Sequence, residues 1–143
     1  MGELYDTDVL EWSGYQAALL RRHAAGRPGN EAPDWLNIIE EVESVGREQL
    51  HSVESFLAQA LAHMLKAEAW PLSAEMSGWQ AEARRFRDEA SSRFAPSMRA
   101  RIDVAKLYRR ALRYLPEVID GQPPMPMPVQ CPVTLDELLG DGP

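Results

Sequence analysis

A chain of 143 residues with a single cysteine and a net charge of −7 is expected to form one domain, 1–143, without a disulfide framework. At this length folding buries roughly 68–70% of the surface the unfolded chain exposes, so no staple is needed. The acidic balance argues against a general polyanion binder, no window nears the ~18 apolar residues of a membrane span, and the acidic start MGELYDTDVLEW is unlike a secretory signal; the expected location is cytoplasmic.

The net charge conceals an asymmetry. Residues 79–114 hold ten arginines and lysines against four acids, whereas the rest of the chain holds five against eighteen.

Helical periodicity dominates, and no run alternates as a strand would. A first helix is expected from about Asp8 to Ala25, with Asp8 as N-cap and Glu11 three residues on, as in a capping box. Tyr5, Val9, Trp12, Tyr15 and Leu19 share one face. Gly26, Pro28, Gly29 and Pro33 then break the chain.

From Asp34, a good N-cap, no proline occurs until Pro71. Leu36, Ile39, Glu43, Gly46, Leu50, Val53, Leu57, Ala60 and Met64 recur at spacings of three and four, the pattern of a helix seam with a near-heptad repeat. Unbroken, this helix would be about 50 Å long; a kink near Gly46 is the alternative. A third helix carries Trp79, Ala83, Phe86, Ala90 and Phe94 on one stripe. A fourth carries Met98, Ile102, Ala105, Tyr108, Leu112 and Leu115, and stops at Pro116.

Residues 1–120 thus read as an all-α bundle of about four helices with one long central helix. Residues 121–143 read as a Pro-rich strap, with Met125, Met127 and Val129 laid on the bundle, and a short terminal helix, Leu135 to Leu139. Thr134 and Glu137 form a capping box for that helix.

Few residues invite chemistry. Glu43 occupies a seam position, where a carboxylate needs a partner or a raised pKa, and Gly46 one turn later lets another group approach. Glu43 reads either as a ligand for a cation or as a buried ion pair to a neighbouring helix, for example with an arginine. Glu40, Glu41 and Glu43 could hold a magnesium or manganese ion, although EEVESVGRE is equally the text of a solvated acidic face. Glu48 and His51 have the spacing of a di-iron ligand pair, but neither His23 nor His63 has the required glutamate three residues before it. His51 reads as a surface or boundary residue. His63, beside the seam, reads as a boundary histidine with a hydrogen-bond partner or as a ligand.

The run containing Arg84, Arg85, Arg109 and Arg110 is the candidate anion-binding surface, since guanidinium forks suit phosphate and carboxylate. The plainer reading has these arginines facing the acids of the long helix or solvating the bundle. Cys131 lacks a nearby base, and no phosphate loop, nucleophile elbow or zinc motif is present. The sequence requires no cofactor and leans away from an enzyme.

Taken in order, YDTDVLEW, WLNIIEEVESVGRE, LAHMLKAEAWP, Trp79 opening a basic helix, and CPVTLDELLG resemble the bacterial family catalogued as domain of unknown function 29. The resemblance runs from Tyr5 to about Leu139. Family members often read Glu-Glu-Ile-Glu-Ser-Leu-Gly at Glu40 to Gly46 and His-Leu-Leu-Lys at His63 to Lys66; Val42, Val45 and Met64 depart from this without loss of apolar character. A tryptophan common in the closing motif is Val133 here. The resemblance implies a small α-helical bacterial protein and no activity. The candidate polar residues are then Glu43, Glu40, His63 and Lys66.

The leading expectation is a helical module that binds another protein or its own copy. The alternatives are a metal-dependent hydrolase or binder of a phosphorylated small molecule or nucleotide, and nucleic-acid binding through the basic hairpin 79–114.

Overall fold

The computed structural model describes residues 2–140. The elements run α1 (Gly2–Thr7), α2 (Val9–Ala24), α3 (Trp35–Ala69), α4 (Met76–Arg93), a 3₁₀ turn (Pro96–Met98), α5 (Val104–Tyr114) and α6 (Leu135–Leu139), with no strand among the described residues. The chain divides into two compact units, residues 1–48 and 49–143, with the boundary inside α3. α3 is a single helix of 35 residues without a break at Gly46.

In the N-terminal unit Asp8 leaves helical geometry and accepts from the Glu11 backbone N–H at 3.0 Å, so it caps α2 as its position implies. The residues before it form α1, a helix that the sequence pattern does not announce. Gly26 ends the segment with a φ of +72°, a left-handed conformation that costs glycine little. The buried core of this unit is small: Trp12, Gln16 and Leu19 of α2, with Pro33.

The C-terminal unit has the larger core. Val53, Leu57, Leu61 and Leu65 of α3 pack with Ala90 of α4, Met98, Ile102, Leu107, Tyr108 and Ala111 around α5, and Leu138 and Leu139 of α6. The seam reading holds here. The fourth helix begins later than the spacing suggests, because Asp103 caps it by accepting from the Lys106 N–H at 3.3 Å. Met98 sits in the 3₁₀ turn, and Ala105 is exposed.

The strap is irregular, as five prolines between Gly121 and Pro132 require. Of its three apolar residues only Met127 packs against the core; Met125 and Val129 are exposed, contrary to expectation. Polar contacts fix the strap instead. The Trp70 indole donates to the Gln122 carbonyl at 2.9 Å, the Met125 N–H to the Ala69 carbonyl at 3.0 Å, and the Tyr108 hydroxyl to the Pro128 carbonyl at 2.6 Å. The Thr134–Glu137 capping box opens α6. At its far end Arg87 donates to the Glu137 and Leu138 carbonyls and Ser91 to that of Leu139. A short helix keeps orphan carbonyls at its end, and these side chains satisfy them.

One apolar line on α3 therefore has two fates. Leu57 is wholly buried, whereas Leu36, on the same line, is 82% exposed. Leu57→Ala should cost about 2–5 kcal/mol of stability and Leu36→Ala no more than about 0.5 kcal/mol, measured by urea unfolding of each variant. Equal losses at the two positions would contradict this packing.

Candidate functional site

The N-terminal unit is joined through Asp34, just ahead of α3. Its carboxylate accepts from the Trp12 indole at 3.1 Å and from the Asn37 side-chain amide at 2.7 Å, and its backbone N–H donates to the Gln16 side-chain oxygen at 2.7 Å. Hydrogen bonds from Asn37 and Trp12 hold the Asp34 carboxyl below its ordinary pKa against the opposing effect of burial. A second tie is the Tyr5 hydroxyl donating to the Glu41 carboxylate, with the Tyr5 ring edge-on to Trp12 at 4.7 Å.

These ties determine which side of α3 faces its unit. Asn37, Ile38, Glu41 and Ser44 are half-buried, and three of the four are polar. The opposite side is apolar and uncovered: Leu36 is 82% exposed, Val42 69%, Ile39 51% and Trp35 46%; Val45, also exposed, lies outside it, between Ile38 and Glu41 around the helix. At 100° per residue, Trp35, Leu36, Ile39, Val42 and Gly46 fall within an arc of roughly 120°, which also takes in Glu43 near its Leu36 edge. On α2, Val9 and Leu10 are also exposed. A monomer rarely leaves so many large aliphatic side chains together in water unless they meet something.

Gly46 belongs to this face. A Cβ built on it would meet no atom within 4 Å, and its φ is not in the left-handed region, so neither packing nor backbone geometry within the chain requires glycine. Glycine inside a helix costs about 1 kcal/mol relative to alanine.

The polar residues singled out from the sequence are dispersed. Glu43 is not buried on a seam: its side chain is 61% exposed and lies 3.9 Å from Arg47, which pairs more closely with Glu40 at 2.6 Å. The arginine partner is present, but on the same helix and in solvent. The line of the seam is uncovered at this level, which removes the need for burial. Glu41 turns to Tyr5, and no group of three metal-ligating side chains stands together among the described residues. Glu48 and His51 are both exposed.

His63 lies twenty residues from Glu43 on unbroken α3 and shares no site with it. It stacks on Phe86 with ring centroids 5.5 Å apart, while the Arg85 guanidinium lies 4.4 Å from the same ring's centroid. Its Nδ1 has no hydrogen-bond partner, against expectation, and burial followed by the Lys66 charge lowers its pKa. The imidazole is thereby held stacked and is harder to protonate than a free one. Lys66 is half-buried beside it in sequence.

Several arginines have local work. Arg85 pairs with Glu82 at 2.7 Å, Arg93 pairs with Glu89, Arg99 reaches Asp136, and Arg110 donates to the Tyr114 hydroxyl at 2.7 Å. The acids they meet lie on α4 and α6 and not on α3. Arg84 and Arg109 are exposed with no ion-pair partner among the described residues. The C-terminal unit also holds an open, mainly apolar cleft of about 240 Å³ between Trp70, Leu72, Ile119, Asp120, Pro123 and Met125.

The three-four repeat brings out Leu36, Ile39 and Gly46 but not Trp35, Val42 or Val45. The available signal is EEVESV, where apolar residues sit among acids within a helix.

The chain belongs to the family described as Domain of unknown function DUF29, whose match covers residues 4–142. No curated protein matches it. It is similar to the crystal structure of an α-helical protein of unknown function from Rhodospirillum rubrum ATCC 11170. The two are 22% identical, with a TM-score of 0.64 over 94% of this chain and 88% of the other, a likeness of fold alone.

The Tyr5–Glu41 contact has a pH signature. The Glu41 carboxylate pushes the Tyr5 pKa from 10.0 up to about 12. A group whose folded pKa is raised adds stability below its unfolded value and loses it as pH climbs through the folded one. The contact should therefore hold α1 below pH 10 and release it between pH 10 and about 12. Ultraviolet titration should show late-ionising tyrosines, with one fewer in Tyr5→Phe; an unchanged late phase in that variant would refute the contact.

Proposed function

We propose that this member of the DUF29 family is a protein-interaction module whose docking surface is the uncovered face of α3 in the N-terminal unit. The observation that carries this reading is the run of large exposed aliphatics at Leu36, Ile39 and Val42. The opposite, polar side of that helix is the one turned to its own unit. Water strongly disfavours such an arrangement, since covering each side chain would gain about 1.5–3 kcal/mol before the cost of association. No helix among the described residues is long and apolar enough to cross a membrane, and a cytoplasmic location fits the lone thiol of Cys131.

Gly46 supports the same reading. A residue that weakens its own helix by about 1 kcal/mol, with open space around it, keeps a bare spot on the face where a partner's side chain or backbone can come close.

Two substitutions test the proposal together. Gly46→Ala should raise stability by about 1 kcal/mol while weakening association, and Ile39→Asp should abolish association with little effect on folding. A photo-reactive residue at position 42 should cross-link to a protein in cells of the native host, and one at the exposed Arg101 should not. Failure to cross-link from positions 36, 39 and 42 alike would end the proposal.

A further inference from the structure

Resting on that reading, we infer that the partner is a cationic amphipathic helix: an apolar stripe carrying a bulky residue opposite Gly46, flanked by lysines or arginines.

Charge argues against the same face of a second copy. Residues 1–48 hold ten acids and four bases, a net −6. Glu43 and Glu40 lie along the Leu36 edge of the apolar arc, exposed, and share Arg47 as their one cation. Two copies meeting through this face would bring acid against acid. Like charges set opposite each other destabilise a helix pair. A partner whose apolar stripe is bordered by positive charge satisfies both requirements. Its apolar residues cover Leu36, Ile39 and Val42, one large side chain fills the space over Gly46, and its ammonium or guanidinium groups meet Glu40 and Glu43. These acids sit at the rim in high dielectric, so they set partner choice and encounter rate more than depth of affinity. An acidic rim around an apolar helix face selects against acidic helices in the same way.

The test uses the full-length protein and two synthetic helices about five turns long with one leucine face in common. One carries lysine on its polar face and the other glutamate. Titrations followed by amide NMR should show the leucine–lysine helix binding with shifts centred on residues 35–47, at least about tenfold more tightly than the leucine–glutamate helix, and more weakly as salt rises. Glu40→Lys combined with Glu43→Lys should reverse that order of preference; Ile39→Asp should abolish binding of both. If the two helices bind the wild-type chain equally, or the double reversal leaves the order unchanged, the charge rule is overturned while the docking face stands. If the lysine helix binds Ile39→Asp as well as wild type, or shifts residues elsewhere, its binding reflects net charge alone, and the face itself is refuted. Sedimentation showing a dimer that the lysine helix dissociates and Ile39→Asp abolishes would install a second copy as the occupant and overturn the inference.

Discussion

The geometry of α3 is the constraint on which the rest depends. A helix returns each apolar line to the same side every three or four residues, and the line from Leu36 to Met64 runs nearly the whole 35 residues. In the C-terminal unit α4, α5 and α6 supply partners for it, and Val53, Leu57 and Ala60 disappear from solvent. In the N-terminal unit the same line continues with no partner from within that unit. One sequence pattern thus produces a conventional core and, further along the same helix, an apolar surface.

The N-terminal unit can leave this line open because it is joined by other means. Trp12, Gln16 and Asn37 converge on Asp34, and Tyr5 bonds Glu41. Each hydrogen bond is worth about 1 kcal/mol net, somewhat more where a carboxylate accepts. Such contacts impose direction where apolar packing does not: they require Asn37, Glu41 and Ser44 to face inward, and Ile39 and Val42 between them then face outward. The Gln16 side-chain nitrogen, buried without a partner, shows that satisfaction is incomplete even here. A unit with three buried side chains on α2 as its core has little reserve, so its stability is tied to the charge on Asp34 and falls as acid neutralises that carboxylate.

Much of this architecture is legible in the sequence. Asp8 and Thr134 announce their helices by cap chemistry, and the prolines announce the strap. The seam residues from Leu50 to Met64 are those that pack. Periodicity tells which residues share a face, however, and is silent on whether anything covers that face. Glu43 therefore reads as a buried carboxylate in need of a partner, although the line it occupies is open and its charge is solvated at no cost. Nor does the pattern reveal α1, whose six residues are fixed by Tyr5 meeting Trp12 and Glu41. The roles of Arg87 and Ser91 are equally hidden, because capping a helix about fifty residues later is a tertiary fact.

The same distinction separates the two charged regions of the chain. In residues 79–114 much of the positive charge is taken up locally: Arg85, Arg93 and Arg99 are ion-paired and lie over the aromatic rings of Phe86, Phe56 and Phe94, and Arg87 is committed to α6. A guanidinium held against a ring and a carboxylate must give up both to grip a phosphate, which lowers the gain from binding one. The acids of the N-terminal unit are differently placed. Glu40 and Glu43 share a single neighbouring cation, Arg47, and both border an apolar face. Part of the basic segment's charge is met within its own unit, whereas the acids Glu40 and Glu43 stand beside the surface that has most to gain from being covered.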